Sequence, residues 1–250
     1  MLLSEILEWI SPEDSEFEYE QWFTNTPIGN SNLLENQSSS NELAPNSQAN
    51  EFPKELPILP LRGVVVYPQT AVPLTVGQPR SIKLVDDVVS GERLIGLVAS
   101  KNPQIESPGP TDLYQIGTVG IIHRLFRAPD GTIRLLVQGL ARFKIVEFTA
   151  LEPYLKASVE YIPETEESGI EVEALARNVR EQFTHIADMI PSIPRELVAS
   201  VNMLENPLQT VYTIGSFQRM SLEDAQLILE YDTVSQKLRK LVNILAREIE

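Results

Sequence analysis

Leu56-Pro57-Ile58-Leu59-Pro60-Leu61-Arg62-Gly63-Val64-Val65-Val66-Tyr67-Pro68 sets three prolines in an almost wholly apolar strand pattern. Proline fixes φ and carries no N–H, so it is confined to edge strands, strand ends or bulges. The segment therefore reads as an edge strand, or as strand ends, opening a β-rich region. Further strands are expected over 72–76, 94–100, 116–126, 132–137, 143–148 and 155–161, with the first over 58–67. Pro129-Asp130-Gly131 supplies hairpin chemistry: a fixed φ, a side-chain cap and a residue free to take positive φ. One helix interrupts the strands over 79–90. There Ile82, Val85 and Val89 recur at helical spacing, Pro79 suits the first turn and Gly91 the C-terminal stop. A sheet with so few helices must curl or close to bury its apolar face, so residues 53–163 are expected to form a small distorted barrel.

Residues 164–250 read as helical. Val172, Leu175, Ala176, Val179, Phe183, Ile186 and Ile190 make one stripe stopped by Pro191. A shorter helix begins near Pro194 with Leu197, Val198, Val201 and Leu204. Asn206-Pro207 is a cap followed by a first-turn proline, and Ser221 with Asp224 starts another helix carrying Leu222, Ala225, Ile228 and Leu229. Val234, Leu238, Leu241 and Leu245 alternate four- and three-residue steps in the last. Four or five helices make a compact bundle, and the fold class is α+β.

The formal charge of −15 is uneven. Residues 1–53 hold ten acids and no Lys or Arg, leaving 25 acids against 20 bases in the remainder. Non-specific nucleic-acid affinity comes from Lys and Arg neutralising phosphates, so nucleic acid is a disfavoured partner. Residues 1–52 form an acidic leader, expected to be disordered; 25–50 is dense in Asn, Ser, Gln and Pro with few apolar anchors. Before it, Leu2, Leu3, Ile6, Leu7 and Ile10 fall at helical spacing, and Glu-Phe-Glu-Tyr-Glu-Gln-Trp-Phe spans 16–23. That run reads either as a short motif for a partner groove or as part of a solvating tail. No apolar run approaches a membrane span, no signal peptide is evident and cysteine is absent, so a soluble cytoplasmic protein is expected.

Chemistry is hard to place. There is no G-x-x-x-x-G-K-[ST] loop, no G-x-S-x-G elbow and no H-E-x-x-H. Ser81 and Lys83 stand two apart on a helix and point in different directions, which rules them out as a catalytic pair. Glu164, Glu166 and Glu167 read as a solvated linker, and Asp86 and Asp87 as the polar face of a helix. His123 and His185 read as surface or structural residues. Gly77, Gly117 and Gly131 fit turn geometry. Arg124, Arg127, Arg134 and Arg142 around the hairpin suggest cross-strand pairing or an interface. No catalytic residue, cofactor or metal is implied. Binding remains, and Tyr67, Pro68, Leu125 and Phe126, apolar residues near strand ends, are the candidate contacts for an apolar polypeptide.

Several motifs together carry a family resemblance: Leu-Pro-x-Leu-Pro-Leu-Arg at 56–62, Pro-Leu-x-Val-Gly at 73–77, Asp-Leu-Tyr-x-x-Gly-Thr at 112–118, Pro-Asp-Gly-Thr at 129–132, Leu-Val-x-Gly-x-x-Arg at 136–142 and Pro-x-Glu-Leu at 194–197. From Leu56 onward the chain resembles the N-terminal domain of Lon, the ATP-dependent protease family. Gln78, where the family often has Arg, and residues 208–216 depart from its pattern. The resemblance implies a PUA-like barrel lobe followed by a helical lobe ending in a long helix. It also implies a non-catalytic part that binds unfolded or damaged proteins and other Lon subunits of a hexameric parent, with ATPase and Ser–Lys protease domains elsewhere. A free-standing Lon-domain adaptor is the alternative. The final helix ends Ala246-Arg247-Glu248-Ile249-Glu250, uncapped and with acids opposing its dipole, so the natural helix is expected to run on toward an ATPase domain.

Overall fold

The structure, a computed structural model, describes residues 52–165, 167–190, 193 and 195–249. The leader with its 16–23 run, Glu166, and the prolines at 191 and 194 lie outside these residues.

Six strands form one mixed sheet: β1 (Glu55–Leu61), β2 (Ala71–Val76), β3 (Leu94–Ala99), β4 (Ile116–Arg127), β5 (Ile133–Ala150) and β6 (Lys156–Ile162), in the order β2-β5-β4-β3-β1-β6. An additional β5–β6 pairing closes five of them into a ring and leaves β2 as a sixth strand on β5. Helix α1 (Pro79–Val89) packs Leu84, Val85 and Val88 into one apolar cluster with Leu59 and Leu61 of β1 and Leu74 and Val76 of β2. Ile82 and Val89 flank that buried face. The hairpin forms as its residues require: Gly131 takes φ 84°, and Asp130 Oδ1 accepts from the Thr132 N–H and hydroxyl.

Five helices follow: α2 (Ile170–Met189), α3 (Arg195–Asn202), α4 (Pro207–Phe217), α5 (Leu222–Glu230) and α6 (Val234–Ile249). Asn206 Oδ1 caps α4 by accepting from the N–H groups of Leu208 and Gln209, and Ser221 Oγ caps α5 through Asp224 N–H. The stripe of α2 and the Val234, Leu238, Leu241 and Leu245 seam of α6 share one core. Helix α4 buries residues all round, from Leu208 to Gly215, as a helix at the centre of a bundle must. Val65, Tyr67 and Ala99 of the barrel lobe belong to that same helical core.

Four expectations need correction. The first strand ends at Leu61, not 67: Gly63 at φ 75° turns the chain out of the sheet, and Val65, Val66 and Tyr67 are apolar because they plug the space between barrel and helices. The strands expected over 132–137 and 143–148 are one strand, β5. Within it, a Cβ at Gly139 would lie 2.2 Å from the Tyr67 carbonyl oxygen, so glycine lets the chain cross β5 closely. Arg142 does not join the hairpin arginines but lies buried between the lobes. Glu164 is not solvated linker, because it is the ion-pair partner of Arg142.

Candidate functional site

The proline-marked strand borders an opening in the barrel. β4 covers one side of β5; on the other side β2 pairs with Ile133–Gln138 of β5, and β6 pairs with Arg142–Ala150 further along. β1 meets β6 only through Glu55, Leu56 and Pro57, then continues along β3 from Ile58 to Leu61. Beyond Pro57, the outer margin of β1 thus faces the outer margin of β2, with no strand between them among the described residues. Residues 59–64, 73–78, Arg80, Ser81, Pro103, Gln104 and 106–108 enclose a cleft of about 740 Å³ there.

Prolines hold the seam open. Ile58 N–H is given to Leu155 O on the β6 side, so by strand alternation the nitrogen of Pro60 faces the seam. On the opposite margin, Gln69 N–H donates to Gly139 O and Gly139 N–H to Thr70 O. That register turns residues 72, 74 and 76 toward β5 and residues 71, 73 and 75 toward the seam. Pro73 therefore faces Pro60 across the gap, and neither supplies a donor. What remains on β2 is the backbone of Ala71 and Thr75 and the carbonyl of Pro73. Leu59, Leu61, Leu74 and Val76 form the apolar floor. Arg62 and Arg80 outnumber Glu106 at the rim, and Arg80 Nη1 donates to Ser107 Oγ at 3.0 Å. Helix α1 opens at the same mouth with no side-chain cap and no acid in its first turn. An extended polypeptide can add backbone hydrogen bonds to such a margin and place alternate side chains on the floor.

The four candidate contacts divide. Phe126, 54% exposed, pairs with Arg134, which pairs with Thr75, so these three share a cross-strand row ending at the seam. Two strand spacings put Phe126 about 10 Å from Thr75. Leu125 is half-buried against the barrel core. Tyr67 and Pro68 are buried instead. Tyr67, 1% exposed, stacks on Tyr212 with centroids 5.3 Å apart and donates its hydroxyl to Ala225 O at 2.9 Å. Burial pushes its phenol well above the ordinary value. Ser81 and Lys83 are not joined, for Lys83 pairs with Asp87. His123 Nε2 meets Gln138 Oε1, Arg127 pairs with Asp86, and His185 is exposed.

Sequence reasoning missed the tie between the lobes. Arg142, 1% exposed, donates Nη1 to the carbonyls of Leu229 and Tyr231 and Nη2 to Pro163 O. Its Nε lies 2.9 Å from Glu164 Oε1 without its N–H aimed at that oxygen, so the contact is an ion pair rather than a hydrogen bond. The same Oε1 accepts from Tyr212 OH at 2.6 Å. Lys237, fully buried, caps the end of α5 by donating to Ile228 O and Leu229 O, with its ammonium 5.2 Å from the Tyr212 ring centroid. Desolvation, aided by Arg142, pulls the Lys237 pKa down to about 7, against opposing pulls from Glu164 and Asp232. The readable signal was Lys237 itself, a charge inside the apolar stripe between Val234 and Leu241. Glu167 Oε2 accepts from Ser235 N–H at the start of α6. Among the described residues no helix is long and apolar enough to cross a membrane.

A ring-closed β lobe carrying a helical lobe is the fold of Lon N-terminal domains. The solved N-terminal domain of a Mycobacterium avium complex Lon protease matches 77% of this chain and 98% of its own, at TM-score 0.63 and 22% identity. That of a Lon N-terminal domain protein from Xanthomonas campestris matches 76% and 97%, at TM-score 0.55 and 18% identity. The sequence profile of the ATP-dependent protease La (LON) substrate-binding domain matches residues 55–247, and the chain belongs to that family. It is 44% identical to a Lon protease of Dictyoglomus thermophilum over 204 residues, covering 82% of this chain and 26% of the relative. It is 43% identical over 203 residues to Lon protease 1 of Herpetosiphon aurantiacus, covering 79% and 25%. The chain thus spans about a quarter of the length of these curated relatives.

Proposed function

We propose that this chain is the substrate-recognition part of an ATP-dependent Lon-type protease in the cytoplasm. It holds unfolded or damaged polypeptides for ATPase and Ser–Lys protease domains of a hexameric parent and contributes no catalytic group itself. The reading is supported by family membership, and the observation that carries it is the open seam between β1 and β2. An unfolded chain differs from a folded one in offering extended backbone with apolar side chains. The seam presents backbone groups at Thr75 and Pro73 above an apolar floor, with Phe126 at its approach.

The test is anisotropy of fluorescein-labelled, reduced and carboxymethylated α-lactalbumin titrated with the full 250-residue chain. Phe126→Ala should weaken binding about tenfold, the size of a modest interface anchor. Its melting temperature should not move, since the side chain is more than half exposed. The chain should neither hydrolyse ATP nor cleave casein. Unchanged affinity in Phe126→Ala and in Thr75→Pro, with both variants folded, would remove the seam from the account.

A further inference from the structure

The run at 16–23, left without a role by the reading above, has the period of a strand. Glu16, Glu18 and Glu20 alternate with Phe17 and Tyr19, and Trp22 and Phe23 close the segment. Two-residue alternation sends Phe17, Tyr19 and Phe23 to one face and Glu16, Glu18, Glu20 and Trp22 to the other, the pattern of an extended strand with one apolar side. We propose that residues 16–23 of this chain occupy the β1–β2 seam as an added strand on β2, competing there with unfolded polypeptide. The proposal rests on the seam being the substrate site.

Three observations select this occupant. The first is chemistry: an aromatic face fits the floor of Leu59, Leu61, Leu74 and Val76, while three carboxylates meet a rim where Arg62 and Arg80 face only Glu106. The second is reach. The described chain begins at Phe52, whose ring lies tilted against Tyr161, about 20–25 Å of strand from Leu59. The 28 residues from 24 to 51 span about 30 Å as a random chain, close to the length that maximises effective concentration. The third is charge asymmetry: a leader with ten acids and no base is repelled by an otherwise acidic molecule and has few basic margins to approach. At an effective concentration of about 1 mM, a segment with a free dissociation constant of about 0.1 mM fills the seam about 90% of the time. It then raises the apparent dissociation constant of a competitor about tenfold.

The chain supplies its own reporter, because Trp9 and Trp22 are its only tryptophans. In full-length Trp9→Phe, Trp22, on the carboxylate face toward the Arg62 and Arg80 rim, should be partly shielded on docking, emitting to the blue of a solvated indole with reduced iodide quenching. Arg62→Glu with Arg80→Glu, and separately Thr75→Pro, should shift that emission to the red. Phe17→Ala with Tyr19→Ala should tighten the labelled α-lactalbumin about tenfold. If the seam variants lose α-lactalbumin while Trp22 stays solvated throughout and the leader variant changes nothing, the leader proposal is overturned and the substrate reading stands. If Trp22 responds to the seam variants but α-lactalbumin does not, the leader docks and the substrate reading fails. A Trp22 emission that varies with protein concentration places a second copy's leader in the seam and overturns the intramolecular form.

Discussion

Replacing Arg142 by Met tests whether the two lobes are held together by buried charge. The substitution keeps much of the stem volume and removes a guanidinium that serves three carbonyls and one carboxylate. Removing one member of a buried ion pair costs about 3–5 kcal/mol, because the partner stays behind uncompensated. Two features place this case near the lower bound. Glu164 retains 20% side-chain exposure and can recover some hydration, and Leu229 O keeps Lys237 as a donor. About 3 kcal/mol in a chain of this size corresponds to a fall in melting temperature of about 6–12 °C. Differential scanning calorimetry at neutral pH reads it directly. Glu164→Gln and the double variant complete a cycle, and the double variant should lose clearly less than the two singles added together. A fall under about 2 °C for Arg142→Met would refute the reasoning, since that is the behaviour of a surface charge.

Lys237 makes a prediction in pH. Its pKa falls from the ordinary 10.5 to about 7 on folding, so between those values the unfolded chain binds the extra proton. Stability from this group must therefore rise with pH across that window, by at most about 1.4 kcal/mol per unit. Urea melts of wild type and Lys237→Met between about pH 7 and about pH 9 should diverge in favour of wild type as pH rises; parallel curves would contradict the assignment. Gly139→Ala should lose about 1–3 kcal/mol through contact with the Tyr67 backbone, read as a lower urea midpoint. Asn206→Ala, which removes the oxygen capping α4, should lose about 1 kcal/mol in the same assay.

Local rules made most of the fold legible. The caps at Asn206 and Ser221, the Pro79 helix start and the Asp130–Gly131 hairpin depend on residues within one turn of each other, and each formed where the sequence placed it. Failures came where the deciding contact is distant. Residues 64–67 have the apolar run of a buried strand, and a run alone does not distinguish a strand from an irregular plug. The gap expected between 137 and 143 hid a continuous strand, because the close approach of Tyr67 that calls for Gly139 lies 72 positions away in sequence. Arg142, Glu164 and Lys237 meet across three segments, so the hairpin placing of Arg142 and the linker reading of Glu164 missed their contact, and only Lys237 carried a local sign, a charge within an apolar stripe. The prolines gave a partial answer: they announced strands lacking donors, but only the topology revealed that Pro60 and Pro73 face one another across a single opening.

The central claim is that unfolded polypeptide is gripped at the seam. A benzophenone amino acid at Thr75, on the β2 margin, should crosslink labelled α-lactalbumin on irradiation and lose the product to excess unlabelled protein. The same photoprobe at Ile170, 89% exposed on the helical lobe, should yield little. Equal labelling at both positions, or labelling at Ile170 alone, would contradict the account.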